Sequence, residues 1–113
     1  MRVALTETRG DHVRREFDQP VVVIGRDPSC DLVVDQAAWP MVSRMHAELR
    51  LEDRRCLLFD KNSTQGTFIN GQRVVQPTEI QTGTLIQFGQ NGPVLTMEIL
   101  VDAPIGLGAK NLS

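Results

Sequence analysis

The sequence predicts an all-β fold, a sandwich of two mainly antiparallel, twisted sheets built from about ten or eleven short strands. Three observations carry that expectation. Short apolar or alternating runs recur along the chain, among them Val21–Ile24, Ala47–Leu51 and Val94–Val101. Clusters of Gly, Pro, Asn and Asp separate them, as turns between strands require. No stretch of useful length carries helical periodicity. The 113 residues fit one domain, and folding at that size removes roughly two-thirds of the unfolded chain's surface from water, so neither a metal nor a disulfide staple is needed.

Met1–Thr8 alternates weakly, with Val3 and Leu5 on one face, and reads as a first strand. Arg9-Gly10-Asp11-His12 is a turn, and the more polar Val13–Phe17 completes a hairpin that Asp18-Gln19-Pro20 breaks. Val21–Ile24 is a continuous β-branched run suited to a buried strand. Gly25-Arg26 ends it, and Asp27–Asp31 is a loop rich in turn formers. Leu32–Val34 is short and extended. Asp35–Met41 is a connection in which Gln36–Trp39 suits one helical turn stopped by Pro40. Trp39 is expected to be partly buried, as a lid over core residues.

Ser43–His46 leads into Ala47–Leu51, where Ala47, Leu49 and Leu51 share one face and Glu48 and Arg50 the other. Glu52–Arg55 is a charged hairpin tip, Cys56–Asp60 the return strand and Lys61–Gly66 a polar loop. Thr67–Ile69 and Gln72–Val74 flank Asn70-Gly71, the strongest short hairpin signal in the chain. Glu79–Thr84 reads as a further turn, and Leu85–Gly89 and Val94–Val101 close the sheet. Residues 1–102 are thus expected to fold as one domain, with 103–113 a flexible tail or linker.

Composition excludes several functions. Hydrophobic residues make up 41% and charged residues 23% of the chain, the balance of a soluble globule. No apolar run approaches the ~20 residues of a membrane span, and Thr6–Arg9 interrupts any signal-peptide core, so a cytoplasmic location is the expectation. A net charge of −2 gives no basic field to gather nucleic acid. Cys30 and Cys56 belong to no close pair, so they read as core residues rather than metal ligands or a disulfide. No G-x-S-x-G, Walker or HExxH pattern is present. Ser43 and His46 stand three apart in an extended segment and so point to opposite faces. The chain is therefore expected to be no enzyme and to need no cofactor or metal.

The loops offer different chemistry. A phosphate dianion needs several donors converging from rigid positions, at least one of them charged. Arg26 supplies a planar fork of donors, Ser43 and Thr64 supply hydroxyls, and amides from Asn62 to Gly66 can add to them. Arg44 offers a second cation. Gly25 is expected to allow a sharp turn and Gly66 a positive φ.

Taken together, Gly25-Arg26, Ser43-Arg44-Met45-His46, Asn62–Gly66 and Asn70-Gly71, in that order and spacing, resemble the forkhead-associated (FHA) domain, over about Val21–Val101. The resemblance implies an FHA/SMAD-like sandwich that binds phosphothreonine peptides. It also implies that Arg26, Ser43 and Thr64 contact the phosphate and that Arg44 touches the phosphopeptide. His46 becomes a buttress for the Ser43 loop, and Asn70-Gly71 a structural turn. Gln65 stands where the family commonly has Asn to hold the peptide backbone; it carries the same amide one methylene further out. The partner implied is a phosphothreonine-containing protein, a Ser/Thr kinase or its substrate. The alternative is a phosphorylation-independent assembly module working through Trp39 or an exposed sheet face.

Overall fold

A computed structural model describes residues 2–9 and 12–101. They form eleven strands: β1 (Arg2–Glu7), β2 (Arg14–Phe17), β3 (Val21–Gly25), β4 (Leu32–Val33), β5 (Ala47–Glu52), β6 (Arg55–Asp60), β7 (Thr67–Ile69), β8 (Gln72–Arg73), β9 (Thr78–Ile80), β10 (Leu85–Phe88) and β11 (Val94–Leu100). One sheet has the order β2-β1-β11-β10-β7-β8 and the other β4-β3-β5-β6-β9. Every pairing is antiparallel except that of β3 with β4.

The core lies between the sheets and follows from period-two alternation. Val22, Leu49 and Leu58 stand opposite one another across β3, β5 and β6, all fully buried. Leu5 faces Met97 and Ile86 faces Leu95 on the other sheet, and these too are buried. Burying one such side chain contributes roughly 1.5–3 kcal/mol. Trp39 is half-buried against this cluster. Its main-chain N–H donates to the Asp35 carbonyl at 2.9 Å, closing a single helix-like turn before Pro40. Cys30 and Cys56 are buried free thiols. Burial pushes the Cys56 thiol up to about 12, which keeps it protonated.

One expectation needs correction. Glu79 and Ile80, expected at the start of a turn, belong instead to β9: Ile80 pairs with Cys56, Glu79 with Leu57, and the turn begins only at Gln81. Tertiary pairing overrides the local turn composition because Ile80 buries itself at 2% exposure. Glu48 lies on the outer face but is 7% exposed, because Arg50 and Lys61 close over its carboxylate. Gly10 and Asp11 of the first turn, and residues 103–113, lie outside the described residues.

The four edge strands are β2, β8, β4 and β9. β2 carries Arg14, Arg15 and Glu16, all exposed, and the other three have two or three residues each. Five connections gather at one end of the sandwich, after β1, β3, β4, β6 and β10. Backbone bonds such as Arg26 N–H to Ser43 O, Lys61 N–H to His46 O and Gly89 N–H to Gly66 O join several of them.

At the other end of β7, Asn70 and Gly71 both take left-handed φ, 47° and 88°, the arrangement of a type I′ turn. Asn70 Oδ1 also accepts from the Leu85 N–H at 3.0 Å. A Cβ at Gly71 would meet nothing within 4 Å, so Gly71→Ala should lose only the conformational term, about 1–2 kcal/mol. Asn70→Ala should cost more, since it also orphans an amide. Urea midpoints measure both; an unchanged Gly71→Ala midpoint would contradict this account of the turn.

Candidate functional site

The site is built from the backbone outward. Gly25 is the buried last residue of β3, and a Cβ there would stand 2.1 Å from the Arg44 carbonyl oxygen. Its φ lies outside the left-handed range. Glycine is thus needed for close approach of two chains, not for the sharp turn expected of it. That approach lets Arg26 N–H donate to Ser43 O at 3.1 Å and Asp27 N–H to Arg44 O at 3.0 Å.

The Arg26 side chain is half-buried, and its Nε donates to the Val42 carbonyl. Among the described residues it forms no ion pair. Ser43 Oγ accepts from the Thr64 N–H at 3.1 Å, joining the second loop to the third. Arg26, Ser43 and Thr64 are therefore brought together through two successive hydrogen bonds. Thr64 and Gln65 are exposed. Arg44 is exposed as well, and its guanidinium stands 3.7 Å from Asp27. Asn70 and Gly71, by contrast, lie away from these loops.

His46 is fully buried. Ser43 N–H donates to its Nδ1 at 2.9 Å, so Nδ1 is the acceptor and Nε2–H donates to Gly66 O, also at 2.9 Å. Both ring nitrogens are consumed by backbone. Neither can serve the Ser43 hydroxyl as a general base, which removes the geometry of a Ser–His nucleophile. No group of three or more His, Cys, Asp or Glu side chains among the described residues could hold a metal.

Asp60 was not singled out in the sequence, yet it anchors the third loop. Ser63 Oγ and Thr67 Oγ1 donate to its Oδ1 at 2.5 and 2.7 Å, and Ser63 N–H donates to its Oδ2 at 3.1 Å. Ser63 Oγ in turn accepts from Gly66 N–H at 3.0 Å. Asn62 and Gly66 take φ of 56° and 88°, which bends the loop back on itself. Alternation could have flagged Asp60: it pairs with Ala47 in the inner row of β6, where a carboxylate must find donors. Burial works to raise the Asp60 pKa, but hydrogen bonds from Ser63 and Thr67 hold it below the usual carboxylate value.

Comparisons with known proteins identify the family. The FHA domain family model matches residues 22–89. The oxoglutarate dehydrogenase inhibitor of Corynebacterium glutamicum is 36% identical over 89 residues, 76% of this chain and 59% of that protein. The glycogen accumulation regulator GarA of Mycolicibacterium smegmatis is 34% identical over 88 residues, 76% of this chain and 53% of its own length. The chain thus spans little more than half of these relatives. Among solved structures, the N-terminal FHA domain of Saccharomyces cerevisiae Rad53p in complex with a phosphothreonine peptide superposes with a TM-score of 0.77 at 25% identity, covering 88% of this chain and 94% of that one. The FhaA FHA domain complexed with the intracellular domain of Rv3910 gives 0.74 at 27% identity, covering 85% and 99%. No helix among the described residues is long and apolar enough to cross a membrane.

Burial pushes the His46 imidazole below the usual histidine value of 6.5, against the Gly66 carbonyl and the Asp60 charge, which favour the cation. The folded state therefore binds fewer protons at this site than the unfolded chain. Stability from neutral His46 is complete above about pH 6.5 and is lost as pH falls through the lower folded value. The urea midpoint should fall between pH 7.5 and 5.5, with a flatter profile in His46→Asn. A wild-type midpoint that stays level or rises on acidification would contradict this.

Proposed function

The chain belongs to the FHA domain family, and on that premise we propose that it is a phosphodependent interaction module, carried by residues 1–102. It binds a phosphothreonine-containing segment of a partner protein, a Ser/Thr kinase or its substrate in the cytoplasm, and does no chemistry on it. The observation that carries this reading is the Arg26–Ser43–Thr64 run, in which the Arg26 main-chain N–H donates to the Ser43 carbonyl and the Ser43 hydroxyl accepts from the Thr64 N–H, each at 3.1 Å, so that the loops bearing one cation and two hydroxyls are joined.

In this reading Arg26 meets the phosphate with its free guanidinium edge, and the Ser43 and Thr64 hydroxyls complete the shell. Arg44, on the exposed side of the same loop, contacts the phosphopeptide, and the Gln65 amide reaches its backbone. Gly25, His46, Asn62 and Gly66 hold the loops in place, and Asn70 and Gly71 form a remote structural turn. Each charge-assisted bond to phosphate contributes about 1.5–3 kcal/mol. Three or four of them, less the cost of association, correspond to roughly micromolar affinity, suited to a reversible switch. An unphosphorylated threonine offers Arg26 no charge to meet.

A phosphothreonine peptide library and its unphosphorylated twin, titrated against wild type and Arg26→Ala, test the proposal. Binding should be confined to phosphorylated peptides and should weaken at least about tenfold in Arg26→Ala. Equal affinity for both peptide forms would favour phosphorylation-independent assembly instead, and equal binding by both proteins would overturn the role of Arg26.

A further inference from the structure

We propose that Arg73 is a specificity-determining residue that selects partner segments carrying an anionic side chain close to the phosphothreonine. The inference rests on the phosphothreonine reading above and adds to it a preference that the Arg26–Ser43–Thr64 run does not supply. Arg73 is the last residue of β8, outside the loops that hold those three side chains.

Its side chain does not simply extend into water. It is laid against the third loop: a Cβ on Gly66 would stand 2.9 Å from Arg73 Nε, 3.1 Å from Cζ and 3.3 Å from Nη2. Three guanidinium atoms at nearly equal distances mean that the flat face of the group, rather than its edge, rests on Gly66. The donor edges are then left in the plane, pointing past the loop. Gly66 accordingly has a second reason to be glycine besides its φ of 88°, since any side chain would displace the guanidinium.

The surrounding charges sharpen the case. Lys61 is held by Glu48 at 3.3 Å and Arg44 stands 3.7 Å from Asp27. Arg73 has no carboxylate partner among the described residues, in a chain whose net charge is −2. A guanidinium laid flat against a loop keeps its donor edges open, and its fork matches a carboxylate or a phosphate. Gly66 is two residues from Thr64, at most about 7 Å of extended chain. The complementary anion should therefore lie within about three residues of the phosphothreonine.

The test uses a phosphothreonine peptide with alanine at the three positions on either side. One series replaces a single alanine with glutamate and a parallel series with phosphoserine, which separates a carboxylate source from a second phosphate. Fluorescence anisotropy at low salt compares wild type, Arg73→Ala and Arg73→Gln, with thermal midpoints to verify folding. Wild type should bind at least one anionic peptide about two- to fivefold tighter than the alanine peptide, the range of an exposed ion pair. That ratio should fall to one in both variants and shrink with added salt. If the ratio survives in both variants, or wild type shows no preference while the alanine phosphopeptide still binds through Arg26, the role of Arg73 is overturned and the phosphothreonine reading stands. If binding needs neither the phosphate nor Arg26, both fall together.

Discussion

One buried imidazole fixes the relation between two of the loops. His46 takes a proton-bearing amide from Ser43 on one nitrogen and gives its own proton to the Gly66 carbonyl from the other, 2.9 Å in each case. The ring is further located by Phe88, edge to face at 5.7 Å. Few side chains can accept on one side and donate on the other across that span. A replacement that fails to do so strands a buried amide or a buried carbonyl, each at about 1–3 kcal/mol. Gly66 O also accepts from Gly89 N–H at 2.7 Å, so the imidazole's influence extends to a further connection.

Neighbouring hydroxyls in the third loop take opposite roles. Ser63 is buried and donates inward to Asp60, whereas Thr64 is exposed. The inward set settles the shape of the loop before any ligand arrives, which lowers the entropy that binding must overcome. It also spreads the charge of a carboxylate that, bare, would repel an anion: three donors converge on Asp60. The first two loops approach each other closely at Gly25, where the Arg44 carbonyl stands in the place of a side chain, and the Arg26 Nε bond to the Val42 carbonyl adds to that contact.

Much of the fold was legible in the chain because its signals were local. Asn70-Gly71 announced its own turn, and the alternation in Ala47–Leu51 matches the inner row of β5. Three features were not legible, each for a nonlocal reason. Glu79-Ile80 looks like turn material until β6 presents a partner edge to it. The burial of Glu48 on the outer face follows only from Arg50 and Lys61 folding over it. Gly25 looks like a bend until the Arg44 carbonyl is seen to occupy the place of its missing side chain. At the candidate site, the motif residues stood out by type and spacing. Asp60, an acidic residue at a strand end, carried no such mark, and only its inner register revealed what it holds.

The perimeter of the two sheets governs how copies of the molecule meet. A neighbour trying to add its own backbone alongside β2 would have to lay a strand against Arg14, Arg15 and Glu16, while β4, β8 and β9 offer too few free amides to hold one. Units of this kind can be crowded, or strung along one polypeptide beside other β-rich modules, without fusing into continuous sheet.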